Sequence, residues 1–466
     1  MNVGEALEFL NDRLWYVALI LIVCVGVWCT LRLRGMQFRM LPEMCRVTFS
    51  DREGREGGLS PFQVFCVSMG SRIGVGNITG PILAILVGGP GAILWMWVFA
   101  LIGMATSFVE TTIGQIYKGR DHEGNYHGGP AYSVSKALGM RRAGMIVAVV
   151  MMLMYIVGFV SMEMCSMSEA FCGAFDFEGN QLFFAILITL VAAAIMAGGV
   201  GRVAGISTKV VPLMAVAWIV VCIISIAFGA EGIVSAVVAI FEGFVNVPSV
   251  VGGGIGAMIM AGMRRGVLSN EAGVGTIPNI SSMASTKHPA AQGFSQSLGV
   301  LIDTVVSTMT ALVILSYADI GTLVSSEGES INILQAAFSD TVGGIAPYLV
   351  AAFLFVFAFT SMMSDFVIGE NNLKYFSDRK GAVLRMRIAA LIVVFVSSFV
   401  ASDEMFVVVD IMLALCAFIN TYLTIRLGGR AVEAFKDYVR KKDSGVEDPE
   451  FTGACLTDSS GVTEWD

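Results

Sequence analysis

Gly70-Ser-Arg-Ile-Gly-Val-Gly-Asn-Ile-Thr-Gly80 lies inside a long apolar segment and interrupts it. A membrane-spanning helix needs a continuous ladder of hydrogen bonds, and glycines recurring beside Arg72 and Asn77 make that ladder easy to break. Unwound backbone at membrane depth survives only where protein buries it or where it lines a water-filled cavity. In secondary transporters such interruptions hold the solute and its coupling ion. The stretch therefore predicts a transport protein.

Composition agrees. The chain has 466 residues, 56% of them hydrophobic and 14% charged, with a mean hydropathy of +0.76. A soluble protein of this size carries about a quarter charged residues. The net charge of -8 is too unevenly spread to indicate a partner, and no nucleic acid is expected. The nine cysteines form no CxxC pair and mostly sit in apolar runs, so they read as small buried hydrophobes rather than disulfides. Three histidines, His122, His127 and His288, cannot supply an HExxH site. Neither zinc chemistry nor an organic cofactor is expected.

Apolar runs of about twenty residues place the spans. The first, near 14–33, follows Glu5, Glu8 and Asp12 and precedes Arg32, Arg34, Arg39, Arg46, Arg52 and Arg55. A cleaved signal carries the opposite flanks, so this is expected to be a retained helix. Further spans are expected near 60–87, 91–118, 144–170, 181–199, 208–229, 250–286 (broken), 290–316, 343–373, 384–402 and 405–427. The total is eleven in an all-α polytopic membrane protein. Alternate connections collect acidic residues (Asp176, Glu178, Glu231, Asp319, Glu327, Glu329, Asp403, Glu404), and the others collect nearly all of the Lys and Arg. The positive-inside rule then puts the N-terminus outside and the C-terminus in the cytoplasm. Segments 232–248 and 328–342 are too short or polar to span and read equally as amphipathic helices over an outer vestibule or as plain loops. After Lys442 the chain turns acidic and loses its apolar period, so residues 443–466 are expected to be a disordered tail.

A second interruption occurs at Arg264-Arg-Gly-Val-Leu-Ser-Asn-Glu-Ala-Gly-Val-Gly-Thr276. Ile73-Gly-Val-Gly-Asn-Ile78 is echoed there by Ala272-Gly-Val-Gly-Thr-Ile277. Setting the first helix aside, the two interruptions fall in matching places of two five-helix inverted repeats. The expected organisation is an N-terminal helix and loop (1–58), a first repeat (59–230), a second (231–428) and a cytoplasmic tail (429–466). Half-helix N-termini offer N–H groups to a carboxylate, and unwound carbonyls offer partial negative charge to Na⁺ or an amino group. Gly74, Gly76, Gly273 and Gly275 are expected to allow close approach and positive φ.

Other polar residues sit at membrane depth. Asp303 needs a cation, a proton or a partner such as Arg72. Thr360 and Ser361 are adjacent hydroxyls that either ligate Na⁺ or bond their own helix. Asp365 and Glu370 follow on the same segment, Glu110 reads as a structural partner, and Glu163 lies in a neighbouring span. Arg264 and Arg265 either line the pocket or pair with a carboxylate.

Gly88-Gly-Pro-Gly-Ala-Ile-Leu-Trp-Met-Trp97, followed by Gly103-Met-Ala-Thr106 and Glu110, resembles the signature of the alanine/glycine:cation symporter family. Ser60-Pro-Phe-Gln63, Gly76-Asn-Ile78, Gly128-Gly-Pro130, Leu268-Ser-Asn-Glu-Ala-Gly273, Lys287-His-Pro289, Gln292-Gly293 and Ile302-Asp-Thr304 extend the resemblance over about 59–372. It implies the inverted-repeat fold of amino-acid transporters and Na⁺-coupled, occasionally H⁺-coupled, uptake of small neutral amino acids across a prokaryotic plasma membrane. Mapped onto that fold, one Na⁺ would meet the carbonyls of Gly70 and Ile73 and the hydroxyls of Thr360 and Ser361. A second would use the Asn77 side chain, the Arg72 carbonyl and Asp303. The amino acid would touch Gly74, Val75, Gly76 and Asn77 on one side and Ser269, Asn270, Glu271, Ala272 and Gly273 on the other.

This chain departs from the family pattern at three places. Gly74-Val-Gly-Asn77 stands where the family usually has Gly-Thr-Gly-Asn, Met363-Ser-Asp-Phe366 where Gly-Trp and aromatic residues are usual, and Met162-Glu-Met164 where a Gln/Asn pattern is typical. Alanine or glycine leads as the expected substrate, with the departures pointing to altered choice. Asp365 is a candidate proton relay, and proton coupling is the alternative to Na⁺. A metal-ion transporter of the same fold and a membrane-embedded enzyme are weaker rivals. The first break carries no acidic residue, and no nucleophile–base or metal spacing is present.

Overall fold

The computed structural model describes residues 3–50, 58–175, 177–245, 254–317, 330–400 and 402–465. Apart from a two-stranded hairpin the described residues form helices and connecting turns. Arg52, Arg55, Asp176, Asp319, Glu327 and Glu329 lie outside the described residues, as do the side chains of Glu5, Glu231, Asp403 and Glu404.

A long first helix, α1 (Val3–Arg32), is followed by short α2 (Met36–Arg39) and α3 (Leu41–Ser50). The first break separates α4 (Pro61–Arg72) from α5 (Gly76–Gly88). The chain continues through α6 (Ala92–Ile116), the hairpin β1 (Gly119–Arg120) and β2 (Tyr126–His127), and α7 (Pro130–Leu138). Then come α8 (Arg141–Leu153), a π-helical turn (Met154–Phe159), α9 (Val160–Ala174), α10 (Asn180–Met196), α11 (Gly199–Phe228) and α12 (Ala230–Val245). The second break separates α13 (Gly254–Asn270) from the single turn α14 (Pro278–Ser281). α15 (Pro289–Tyr317), α16 (Ser330–Val342), α17 (Ala346–Lys374), α18 (Lys380–Ser397) and α19 (Ser402–Asp443) complete it.

Eight of the described helical stretches are long and apolar enough to cross a membrane. α10, at 17 residues, the divided α13–α14 segment, and α18, which carries Lys380, Arg385 and Arg387 in its 18 residues, fall short by that measure, so length and composition alone give eight spans rather than eleven. The segments read as either amphipathic helices or loops contain helices, α12 and α16. The last helix runs on past residue 428 to Asp443 without interruption.

Local chemistry explains how the breaks are framed. Ser60 and Gln63 form a capping box, the Ser60 hydroxyl accepting from the Gln63 N–H at 3.1 Å and the Gln63 side chain accepting from the Ser60 N–H at 3.0 Å. Pro61 then occupies the first helical position, where its missing N–H costs nothing. Ile73 leaves the helical region and α4 stops. At the second break Glu271, Gly273 and Gly275 have φ of 50°, 86° and 76°, a run no continuous right-handed helix contains. Gly74 and Gly76 do not share this conformation, contrary to expectation; theirs is a role of close approach. Ahead of α4 the chain is tied to the segment that follows α14, where the Ser285 N–H donates to the Leu59 carbonyl at 3.0 Å.

The expected disorder of the tail is not what the structure has. Residues 444–465 fold back over the basic end of the bundle and bury Phe451, Leu456 and Trp465. Trp465 donates its indole N–H to the Gln115 carbonyl at 2.8 Å and covers the Lys118 ammonium, 4.6 Å from its ring. Tyr126 covers that ammonium from another side at 3.9 Å. The tail's acidic residues, which suggested a solvated segment, pair with the loops' basic ones: Asp448 with Arg46 and Lys287, Glu464 with Arg120, and Asp458 with Arg430. Pairs this exposed contribute about 0–1 kcal/mol each, so the aromatic anchors do most of the holding. Trp465→Ala is expected to forfeit about 3–5 kcal/mol of that docking. Limited trypsin digestion of the purified protein should then cut after Lys441 and Lys442 far faster than in the wild type. Equal cleavage rates would show the indole to be dispensable.

Candidate functional site

The two interrupted segments cross inside the bundle, and Arg72 ties them together. Its Nε donates to the Asn270 carbonyl at 2.9 Å, which closes the C-terminal end of α13. Its Nη1 reaches the Gln296 carbonyl and side chain at 3.0 and 3.2 Å, and Nη2 reaches Ser107 at 3.1 Å. A guanidinium suits this place because the C-terminal end of a helix carries partial negative charge and the fork serves several acceptors at once. Arg72 is 2% exposed and makes no ion pair with Asp303 among the described residues.

Asp303 finds its partners elsewhere. Asn77 Nδ2 donates to its Oδ1 at 2.7 Å and Ser269 Oγ to its Oδ2 at 2.7 Å, while Ser307 lies 3.0 Å from Asn77 and 3.1 Å from Ser269. Of the residues expected in the second ion set, the structure brings Asn77 and Asp303 together, with Ser269 and Ser307 beside them. The Arg72 carbonyl accepts from the Gly74 N–H at 3.0 Å, as does the Asn77 side-chain oxygen at 3.2 Å. Ser307 lies one helical turn beyond Asp303, a spacing that sequence alone displays.

The two hydroxyls expected in the first ion set face different ways. Thr360 Oγ1 donates to its own helix at Val356 and Phe357, both at 3.0 Å. Ser361 instead reaches across to the Ser71 carbonyl at 3.1 Å, and Ser364 reaches the Val67 carbonyl at 2.8 Å. Gly70 packs against Ser364, since an added Cβ would lie 2.9 Å from its Oγ. Ser361 and Ser364 are thus the hydroxyls facing α4, with Gly70 against Ser364.

At each break a buried carboxylate already takes backbone N–H groups. The Val75 N–H donates to Glu163 Oε2 at 3.3 Å. The N–H groups of Gly273 and Gly275 donate to the two oxygens of Glu110 at 3.4 and 3.1 Å, and Asn420 donates to Glu110 at 2.8 Å. Glu110 is the structural partner it was expected to be. Ala272 and Gly273 turn toward α6 and α1, against Gly103 and Ile22, and do not join the first break. Arg264 pairs with Asp410 at 2.6 Å and with Asp12 at 3.2 Å, and Arg265 lies 3.7 Å from Asp410, so both are ion-pair partners rather than pocket residues.

A third group gathers where α4, α9, α17 and the second break approach one another. Ser71 Oγ donates to Glu271 Oε1 at 3.0 Å and lies 3.5 Å from Asp365 Oδ1. The Tyr155 hydroxyl donates to Glu271 Oε2. Tyr155 sits in the π-helical turn, which rotates it away from the face a regular helix would give it. Sequence reasoning had no signal for it. The residues of the three polar groups are buried.

The model of the sodium:alanine symporter family matches residues 1–453. The amino-acid carrier protein AlsT of Bacillus subtilis is 35% identical over 98% of this chain and 96% of its own length. The probable sodium/glutamine symporter GlnT of the same organism is 36% identical, covering 98% and 94%. The sodium/alanine symporter AgcS of Methanococcus maripaludis is 32% identical over 95% of this chain and 99% of its own. Among solved structures, MhsT in complex with L-phenylalanine superposes with a TM-score of 0.54 at 17% identity, covering 88% of this chain and 94% of that one. A manganese transporter mutant from Eremococcus coleocola gives 0.57 at 12%, covering 83% and 88%. At these identities the structural matches establish shared architecture alone.

Proposed function

Because the chain belongs to the sodium:alanine symporter family, we propose that it imports an amino acid together with Na⁺ by alternating access. The observation that carries this is the pair of broken helices joined through Arg72 and through Asn77, Asp303 and Ser269. Two sets of oxygen donors flank the first break: Ser361 and Ser364 with the backbone of α4, and Asp303 with Asn77, Ser269 and Ser307. Hard oxygen donors of this kind suit Na⁺. Ion binding orders both breaks, the substrate completes the pocket, and one repeat rocks against the other. Alanine or glycine is the leading substrate; relatives carry the names of alanine and glutamine carriers. The protein works in a prokaryotic plasma membrane with its N-terminus outside and the docked tail in the cytoplasm, and it releases its substrate chemically unchanged.

Asp365 supports a second reading, proton coupling, because its Oδ2 is buried with no hydrogen-bond partner among the described residues. Uptake of radiolabelled alanine into vesicles under imposed Na⁺ or H⁺ gradients separates the two. Accumulation driven by Na⁺ alone supports the first and by H⁺ alone the second; uptake unaffected by either defeats coupling. Ser361→Ala and Ser364→Ala should each raise the Na⁺ concentration for half-maximal uptake by about tenfold, the worth of one hydrogen-bonding ligand of roughly 1.4 kcal/mol. Thr360→Ala should change it less, since its hydroxyl serves its own helix. The reverse order would return the ion to Thr360.

A further inference from the structure

We propose that Glu163 and Asp365 form an ammonium subsite, so that the amino acid lies with its amino group toward the first break. The proposal rests on the reading above that the breaks hold the substrate, and it adds the substrate's orientation and the chemical group the site selects.

An unwound segment leading into a helix N-terminus ordinarily offers its N–H groups to a ligand's carboxylate. Here the chain fills that position itself. Glu163 Oε2 takes the Val75 N–H, and its Oε1 lies so close to the break that a Cβ on Gly74 would come within 2.5 Å of it. A substrate carboxylate brought to this place would meet another carboxylate. The polarity of the first break is therefore the reverse of what its backbone alone would give.

The surroundings deepen that reversal. Glu163, Glu271 and Asp365 are all buried, lie close enough to repel one another, and have no Lys, Arg or His ion-pair partner among the described residues. The donors of buried Arg72 go to Asn270, Gln296 and Ser107. Glu271 is provided for, with Ser71 on one oxygen and Tyr155 on the other. Asp365 is not. Its Oδ2 has no partner, although the residue is 0% exposed. Carboxylates buried together carry charge only where an opposite charge with hydrogen-bond donors joins them. A primary ammonium brings both, with three donors in a tetrahedral array. The carboxylates do not converge as the ligand set of a bare metal ion would.

The test is thermal stabilisation of the purified full-length protein in detergent with Na⁺ present. The probes are L-alanine, its methyl ester (amine kept, carboxylate blocked) and L-lactate (carboxylate kept, amine replaced). Alanine and the ester should stabilise the protein and lactate should not. Glu163→Gln and Asp365→Asn should each raise the apparent Kd for alanine at least tenfold and remove the response to the ester, leaving stabilisation by Na⁺ alone unchanged. Glu163→Asp should recover part of the affinity. Lactate matching alanine, or an unchanged Kd in Glu163→Gln, would overturn the subsite while Na⁺-driven uptake still stood. Loss of the Na⁺ response in Glu163→Gln would also overturn it, by giving the carboxylates to the ion. If none of the three probes binds the wild type, the subsite and the alanine reading fail together. Should the variants not fold, displacement of labelled alanine from the wild type by the ester, but not by lactate, decides the question.

Discussion

Arg72→Met is expected to abolish uptake and to destabilise the protein by about 3–5 kcal/mol, the usual cost of removing one partner from a buried charged network. The methionine fills much of the volume and supplies no donor. The Asn270 carbonyl, both Gln296 oxygens and the Ser107 hydroxyl would then face an apolar side chain in a fully enclosed space. The loss falls on the joint between the two breaks, so function should suffer more than fold. Arg72→Lys is the informative companion. A single ammonium serves one or two of these acceptors but not acceptors spread around a planar fork. It should restore folding, seen as recovered thermal midpoint and monodisperse elution, and leave transport at least tenfold below wild type, a deficit of about 1.4 kcal/mol or more. Wild-type uptake by Arg72→Met would show that the breaks need no such brace.

Gly74→Ala and Gly76→Ala should behave oppositely, although the glycines stand two residues apart. A Cβ at Gly74 would sit 2.5 Å from Glu163 Oε1 and 2.9 Å from Ser361 Oγ, so either the carboxylate or the helix behind it must move. Overpacking of that kind costs about 1–3 kcal/mol and displaces the groups proposed to hold the substrate. Uptake should be lost. At Gly76 the nearest neighbours, Ser269 Cα and Leu268, are 3.7 and 3.8 Å away, ordinary contact distances, and alanine should be tolerated. Gly76→Leu, by contrast, would fill the gap between the breaks and stop uptake. Initial rates at matched expression check all three. Equal loss in both alanine variants would place the substrate nearer Gly76 than the structure indicates.

How far this molecule was legible from its residues depended on whether a feature was local or assembled. The interruptions were legible because glycine, arginine and asparagine inside an apolar run have few structural uses. That Asp303 needs a polar match was legible from its depth, but the residues offered Arg72 for it, and only the family resemblance put Asn77 beside it. Ser307 and Ser364 were within reach through the helical period, one turn from Asp303 and Thr360. Three features were not. Glu163 was visible, but nothing in sequence says that a glutamate 88 residues from Val75 will occupy its N–H. Tyr155 depends on a π-helical turn, and a period of 3.6 assigns it to the wrong face. The tail misled because acidic residues were counted as solvated charge. Their basic complements lie on loops far away in the chain, and one indole at the end supplies an anchor that a composition window averages out.

Hydrogen exchange at the breaks puts the whole account to trial. Peptides covering 73–77 and 271–277 should exchange measurably with neither ligand present, become partly protected in Na⁺, and become strongly protected when Na⁺ and a transported amino acid are present together. Protection that is identical in all three conditions, in protein shown to transport, would mean that these interruptions are fixed architecture and that the substrate and its ion bind elsewhere.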